Sequence, residues 1–244
     1  VAANLYGISE LVGRTASCNY PSGISSVPVV AEVKPSFERI AAAKPDLIIY
    51  DAGLYSQSDV EKLKQLNIEL FEFKANTIDE YADTCLRLAS RIGCESLMSD
   101  YIDRMYAEVS LNQGTKPENP PKVAIVLRNP DGSLMVAGTK SFLGDVLTKC
   151  GATPVGPESN KFENANVESL IEMAPEVILT TDALGSQDGI LKDPRLQSIP
   201  AVKKKYVAAT TGDVLLRAGT RVRDLVERVG KLVREIADAE RAAK

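Results

Sequence analysis

The chain has 244 residues, 25% of them charged and 44% hydrophobic, with a net charge of −4 and a pI near 5.2. Two modest domains or one large one fit that length, and the charge balance gives no general attraction to nucleic acid or anionic lipid. His and Trp are both absent, which removes catalytic triads, His-based metalloproteases and His-rich zinc sites together.

The first residues, VAANLYGISE, lack the basic start and apolar block of a secretory leader, and read like mid-helix, as in a chain that has lost one. No later run approaches the ~18 apolar residues of a membrane helix. ISELVGRT leads into a first strand. SFERIAAAKPDLIIYD, from Ser36 to Asp51, then predicts a helix followed by a buried strand. Ser36 caps the helix, Glu38 sits near its positive end, and Phe37, Ile40 and Ala41 cover one face. Pro45 ends it and LIIY follows as the strand. DVEKLKQLNIELFEF repeats the grammar, with Asn67 at the cap.

Residues 77–91 and 95–112 read as helices broken near Gly93. In the second, Leu97, Met98, Tyr101, Ile102, Met105, Tyr106 and Val109 form an apolar stripe on a rod of about 27 Å. The polar, Pro-rich QGTKPENPP marks a linker. Beyond it KVAIVLRNPDG is strand and turn, and SFLGDVLTKCGATPV is helix, Gly151 cap and strand. NVESLIEMAPEVILTTD, from Asn166 to Asp182, restates the 36–51 pattern about 130 residues later. AVKKKYVAAT leads into a last strand, its KKK run a solvated loop. The closing helix buries Val222, Leu225, Val226, Val229, Leu232, Val233 and Ile236. With no Asn-Gly hairpin signal in this alternation, the sheets are expected to be largely parallel.

The fold expected is therefore α/β, with two similar lobes of mostly parallel sheet joined by a long helix. Its parts are a lobe at 1–76, a helical segment at 77–112, a linker at 113–121 and a second lobe at 122–244. Cys18, Cys85, Cys94 and Cys150 form no C-x-x-C pair. Cys85 and Cys94 lie about 13 Å apart along a helix, too far to bridge, so all four read as free thiols packed as small apolar groups.

Two such lobes leave a cleft, and ligands of open α/β sheets sit beyond the carboxyl ends of the strands. Those ends are marked by Asp51, by Arg128-Asn129 and by Asp182, with the turn residues Tyr55, Asp131 and Ser133 nearby. Arg128 is read either as a holder of an anionic or amide-bearing ligand edge or as a surface partner of Asp131. Asp51 and Asp182 are read either as a carboxylate pair or, preferably, as turn residues bonded to their own backbone. A doubled intracellular α/β enzyme is the rival class, but no G-x-G-x-x-G or G-K-[ST] loop occurs.

GRTASCNYPSGISSVPVVAEVKPSFERIAAAKPDLII resembles the N-terminal lobe of ABC-transporter solute-binding proteins of the helical-backbone class, most closely their corrinoid binders. GTKSFLGDVLTKCGATPV, NVESLIEMAPEVIL, DPRLQSIPAVKKKYV and the helix opened by Gly219-Thr220-Arg221 resemble later segments of that family in order. The resemblance implies an extracytoplasmic receptor, outside the cytoplasmic membrane and reaching it only through an anchor or the permease. It would be a monomer without enzymatic activity, cofactor or metal site of its own. Its cargo would be a metal chelate (corrinoid favoured, haem or ferric siderophore the alternatives) handed to an ABC permease.

The resemblance also assigns residues. Tyr20, beside Pro21, matches a Tyr-Pro loop whose ring lies against a corrin face. Tyr55, Phe142 and Phe162 complete the aromatic candidates, and Arg217 joins the ligand-binding set. Asp51 and Glu72 stand where corrinoid binders carry Trp, so the aromatic clamp is thin. The family's first strand and following turn would precede Val1. Acidic residues on each lobe dock the permease in that family. The matching places hold Gln57, with Asp59 and Glu61 beside it, and Gln187 with Asp188, which makes Asp59, Glu61 and Asp188 the docking candidates.

Overall fold

A computed structural model describes every residue except Tyr6, Val33, Ala52, 183–185 and 243–244. The chain divides into unit 1, Val1–Ala75 with Asp79–Tyr101, and unit 2, Asn76–Ile78 with Ile102–Lys244.

Unit 1 begins with α1 (Ala2–Leu5) and a short 3-10 turn at Ile8–Glu10. The short strands β1 (Arg14–Thr15) and β2 (Val29–Ala31) pair in parallel. Then come α2 (Phe37–Ala43), β3 (Leu47–Asp51), α3 (Gln57–Lys64) and β4 (Glu69–Phe73), with β3 and β4 parallel from Leu47↔Glu69 to Asp51↔Phe73. A cavity of about 520 Å3 is lined by residues on or beside all four of these strands, among them Gly13, Thr15, Val30, Leu47, Ile49 and Glu69. Among the described residues β3 pairs with β4 alone, and none of its five residues is buried.

Helix α4 (Ile78–Ile92) buries Ile78, Tyr81, Ala82, Cys85, Leu88 and Ala89, a helical-period stripe. Gly93 at φ +69 ends it, as the left-handed region requires. Helix α5 (Glu95–Gly114) follows and contributes to both units. Tyr81 packs edge-on against Phe73, with centroids 6.0 Å apart, and its hydroxyl meets that of Tyr101 at 3.2 Å. The α5 stripe is buried at Met98, Tyr101, Ile102, Met105 and Val109, but Leu97 is 54% exposed.

Unit 2 continues with β5 (Lys122–Arg128), β6 (Leu134–Ala137), α6 (Phe142–Lys149), β7 (Thr153–Pro154) and β8 (Phe162–Ala165). It goes on through α7 (Val167–Met173), β9 (Val177–Thr181), α8 (Ser186–Lys192), α9 (Pro200–Lys203) and β10 (Val207–Thr210). It closes with α10 (Gly212–Leu215) and α11 (Val222–Ala242). The sheet order is β10-β9-β5-β6-β8, with β7 also on β5. Val126, Val136, Leu170, Ile178, Ile190 and Leu196 form its core, all fully or almost fully buried.

The repeated sequence folds as a repeat. Ser36 Oγ accepts from the Arg39 amide and Asn166 Oδ1 from the Ser169 amide, each capping a seven-residue helix. Each helix ends on a left-handed residue, Lys44 at φ 47 and Ala174 at φ 44, just ahead of the proline. A five-residue strand follows each. The two terminal aspartates are not counterparts: Thr181, not Asp182, stands where Asp51 stands, at the last position of the strand.

Elsewhere the structure departs from the sequence reading. Strands β5 and β6 form an antiparallel hairpin, and β6 and β8 are antiparallel too. The hairpin turn is Asn129–Ser133, where Gly132 at φ +83 makes the reversal that the Asp131-Gly132 step encodes. Ala41 is exposed, and ISELVGRT yields a strand only at Arg14–Thr15. AVKKKYVAAT opens as α9 with Pro200 in its first turn, and its strand starts at Val207.

Candidate ligand-binding site

Each unit presents strand carboxyl ends bearing several of the predicted residues. In unit 1, β3 ends at the exposed Asp51, whose Oδ1 accepts the Gly53 amide at 2.7 Å. The carboxylate thus folds its own turn, the preferred of the two sequence readings. Past that turn, Tyr55 comes back over Tyr50, the rings stacked at 6.4 Å and 25°. Burial, then Asp59 and Asp51, push the Tyr55 phenol above its usual range, so it serves as a neutral hydroxyl and an aromatic face.

Tyr20 is 42% exposed and joined to Pro21 by a cis peptide. Its loop is organised by Arg14, a residue the sequence reading did not single out. Arg14 Nε donates to the Val27 carbonyl at 2.9 Å, and Nη1 donates to the carbonyls of Thr15 at 3.2 Å and Cys18 at 3.1 Å. A guanidinium with five fixed donors can tie a chain reversal in this way where Lys could not.

In unit 2, β5 ends at Arg128, whose amide donates to Ser186 Oγ at 3.3 Å. Ser186 Oγ is also 2.8 Å from Thr180 Oγ1, in a buried pair of hydroxyls. The Arg128 side chain lies along α8: a Cβ at Gly189 would stand 2.9 Å from its Cδ and 3.1 Å from its Nε. Asn129 and Asp131 are consumed by the hairpin turn. Asn129 Nδ2 donates to Ser133 Oγ at 2.9 Å, while Asp131 Oδ1 accepts the Ser133 amide at 2.9 Å and its hydroxyl at 2.7 Å. Those bonds, ahead of the nearby Arg128 charge, hold the Asp131 carboxyl below its usual range.

Asp182 is exposed just past β9, its amide donating to the Thr210 carbonyl at 2.9 Å. Phe142 opens α6 and Phe162 opens β8 opposite Ala137, both half-buried. Arg217 is ion-paired with Asp213 at 2.9 Å, and Arg221 reaches the same carboxylate at 3.8 Å. The structure thus groups Asp51, Tyr55 and Asp59 in unit 1. In unit 2 it groups Arg128 with the Asn129–Ser133 turn.

The docking candidates are structured by their own helices. Asp59 closes a capping box with Ser56, its Oδ2 accepting the Ser56 amide at 3.1 Å and hydroxyl at 2.6 Å. Glu61 accepts from Gln57 Nε2 at 3.3 Å, Asp188 pairs with Lys192 at 2.7 Å, and Gln187 Nε2 donates to the Val207 carbonyl at 2.7 Å. Among the described residues no group of three or more Cys, Asp and Glu is placed to hold a metal ion. No described helix is long and apolar enough to cross a membrane.

A doubled helix–strand unit with polar turns at its strand ends defines a mixed α/β protein of two units. The chain belongs to the periplasmic binding protein family, which it matches over residues 3–214. It is 21% identical over 230 residues to the uncharacterized ABC transporter substrate-binding lipoprotein YvrC of Bacillus subtilis, covering 92% of this chain and 73% of that one. Its fold is that of the periplasmic vitamin B12 binding protein BtuF of Vibrio cholerae, with a TM-score of 0.82 at 22% identity over 97% of this chain and 92% of that one. The periplasmic haem-binding protein RhuT of Roseiflexus sp. RS-1 is similarly close, with a TM-score of 0.82 at 21% identity over 96% and 94% of the two chains.

Proposed function

We propose that the protein is the extracytoplasmic receptor of an ABC importer, capturing a metal chelate and delivering it to a permease. Membership of a binding-protein family carries this reading and favours a receptor over the two-lobed enzyme. Relatives named for vitamin B12 and for haem support chelates as the ligand class, with ferric siderophores included on the same fold-level grounds. Tyr20, with its exposed ring, and the Tyr50–Tyr55 stack are the flat surfaces on which a macrocycle would rest. Asp59, Glu61 and Asp188 remain the proposed permease contacts.

The test is a thermal-shift and titration series with haemin, cyanocobalamin, cobinamide and ferric siderophores. A ligand bound at 100 times its Kd adds about 2.7 kcal/mol to stability, a clear rise in melting temperature. Tyr20→Ala should then weaken that ligand about tenfold while leaving the unliganded melting temperature almost unchanged, in keeping with the 1–3 kcal/mol typical of aromatic stacking on planar rings. A series in which no chelate shifts the melting temperature would sink the reading.

A further inference from the structure

Unit 2 holds a guanidinium whose placement the fold fixes closely. Among the described residues, Arg128 Nε is buried with no hydrogen-bond partner, and no carboxylate lies within ion-pairing distance of its head. Two acids on which its charge acts, Asp131 and Asp193, are occupied. Asp131 is held by Ser133, and Asp193 is held by Arg195 through Nε at 2.9 Å and Nη2 at 2.7 Å. Arg128 acts on the Asp131 carboxyl through its charge, and among the described residues the two form no ion pair.

Room for this side chain is built in on both flanks. Gly189 lets it lie across α8, where any Cβ would press on Cδ at 2.9 Å and on Nε and Nη1 at 3.1 Å. Gly132 stands on the other flank, where a Cβ would be 3.5 Å from Nη2. A second buried donor without a partner among the described residues, Thr210 Oγ1, ends β10, two strands away on the same carboxyl edge. Two strand spacings put it about 10 Å from the end of β5. An unpaired buried donor is costly, and a group that would complete it on binding is one reason for a fold to keep it. The planar fork of Arg matches a carboxylate through two parallel hydrogen bonds, which an uncharged amide edge does not reproduce.

We infer that Arg128, seated on Gly189, reads a carboxylate on the rim of the chelate, so that the cargo is a carboxylate-bearing chelate rather than an amide-rimmed corrinoid. Gly189 acts as a positioning residue, through Arg128. The inference rests on the chelate-receptor reading above and narrows it.

The test is a titration with haemin, haemin dimethyl ester and cyanocobalamin. Haemin should bind at least about tenfold more tightly than its ester, the worth of one charge-assisted pair at about 1.4 kcal/mol. Arg128→Gln should bring haemin down to the ester's affinity and leave the ester within about twofold. Gly189→Ala, which keeps the charge and displaces the fork, should weaken haemin severalfold and spare the ester. Equal binding of haemin and ester by the parent protein would overturn the inference without any variant having to fold. So would tighter binding of cyanocobalamin than haemin, which leaves the chelate-receptor reading standing. Silence toward every chelate would overturn both.

Discussion

The backbone amide of Ile78 donates to the carboxylate of Asp145 at 2.7 Å, across 67 residues of sequence. The first amide of α4 is therefore satisfied from α6 rather than by a neighbour in the chain. Replacing a capping carboxylate with Ala typically costs about 0.5–2 kcal/mol. Asp145→Ala should lower the urea midpoint accordingly, and Asp145→Asn, which keeps an acceptor, by less. An Ala variant as stable as the parent would refute the cap.

Asn112 is 2% exposed and joins three helices. Its Nδ2 donates to the Val226 carbonyl at 3.2 Å, its Oδ1 accepts from Arg234, and Cys150 Sγ donates to that same Val226 carbonyl at 3.3 Å. Gly230 leaves the space this amide needs, since a Cβ there would collide with Asn112 Oδ1 and Nδ2. Gly230→Ala should destabilise by about 2 kcal/mol or more despite Ala's better helix propensity. The double variant with Asn112→Ala should cost less than the two single changes added together, the coupling expected of side chains in contact.

Burial pushes the Cys85 and Cys150 thiols up to about 12, and raises Cys94 as well. Cys18 alone is partly exposed. Since the thiolate is the reactive form, native protein at pH 8 should give one fast equivalent with a disulfide reagent, lost in Cys18→Ser. Unfolded protein should give four. Two or more fast native thiols would contradict this packing.

The fork of Arg195 holds the Asp193 carboxyl down at about 2, and Asp193 is itself buried. A depressed folded pKa contributes stability that is complete above the ordinary aspartate range and lost as pH falls through the folded value. The stability gap between the parent and Asp193→Asn should therefore hold from pH 7 to about 5, then narrow toward pH 2. Urea unfolding at a series of pH values reads it, and a gap that widened on acidification would refute the pairing.

The helix–strand repeat was legible because each sign in it is local. Ser36 and Asn166 can cap, Pro45 and Pro175 cannot continue a helix, and LIIY and VIL suit strands, though the burial expected of both holds only for VIL. The left-handed ends at Lys44 and Ala174 were not legible, since neither residue advertises a positive φ. The hairpin was missed because Asp131-Gly132 follows Asn129-Pro130 and reads equally well as a plain turn; what makes it a hairpin is pairing with β6, a tertiary fact. The stripe on α5 was right in spacing, but spacing does not say where its cover stops, and Leu97 lies beyond it. Asp51 and Arg128 stand at strand ends, as their position before a turn suggested, whereas Asp182 falls one residue past β9. The contacts of Arg14, Tyr50 and Gly189 were not legible, because each depends on a neighbour distant in sequence or folded back across a turn.

Strands β3 and β9 descend from the same pattern, yet all five residues of β9 are buried and none of β3 is. The difference is one of neighbours: β9 is flanked by β10 and β5, whereas β3 has β4 alone among the described residues. A Leu-Ile-Ile run with strand pairing on one side only, among the described residues, is a template for another molecule's backbone. Solubility of the 244-residue chain should therefore be limited by this edge rather than by net charge. Concentrated stocks should form sheet-rich aggregates on warming, and Ile49→Lys, at a position already 39% exposed, should delay them. Handling this protein is, in that sense, a problem of colloid chemistry set by a single strand.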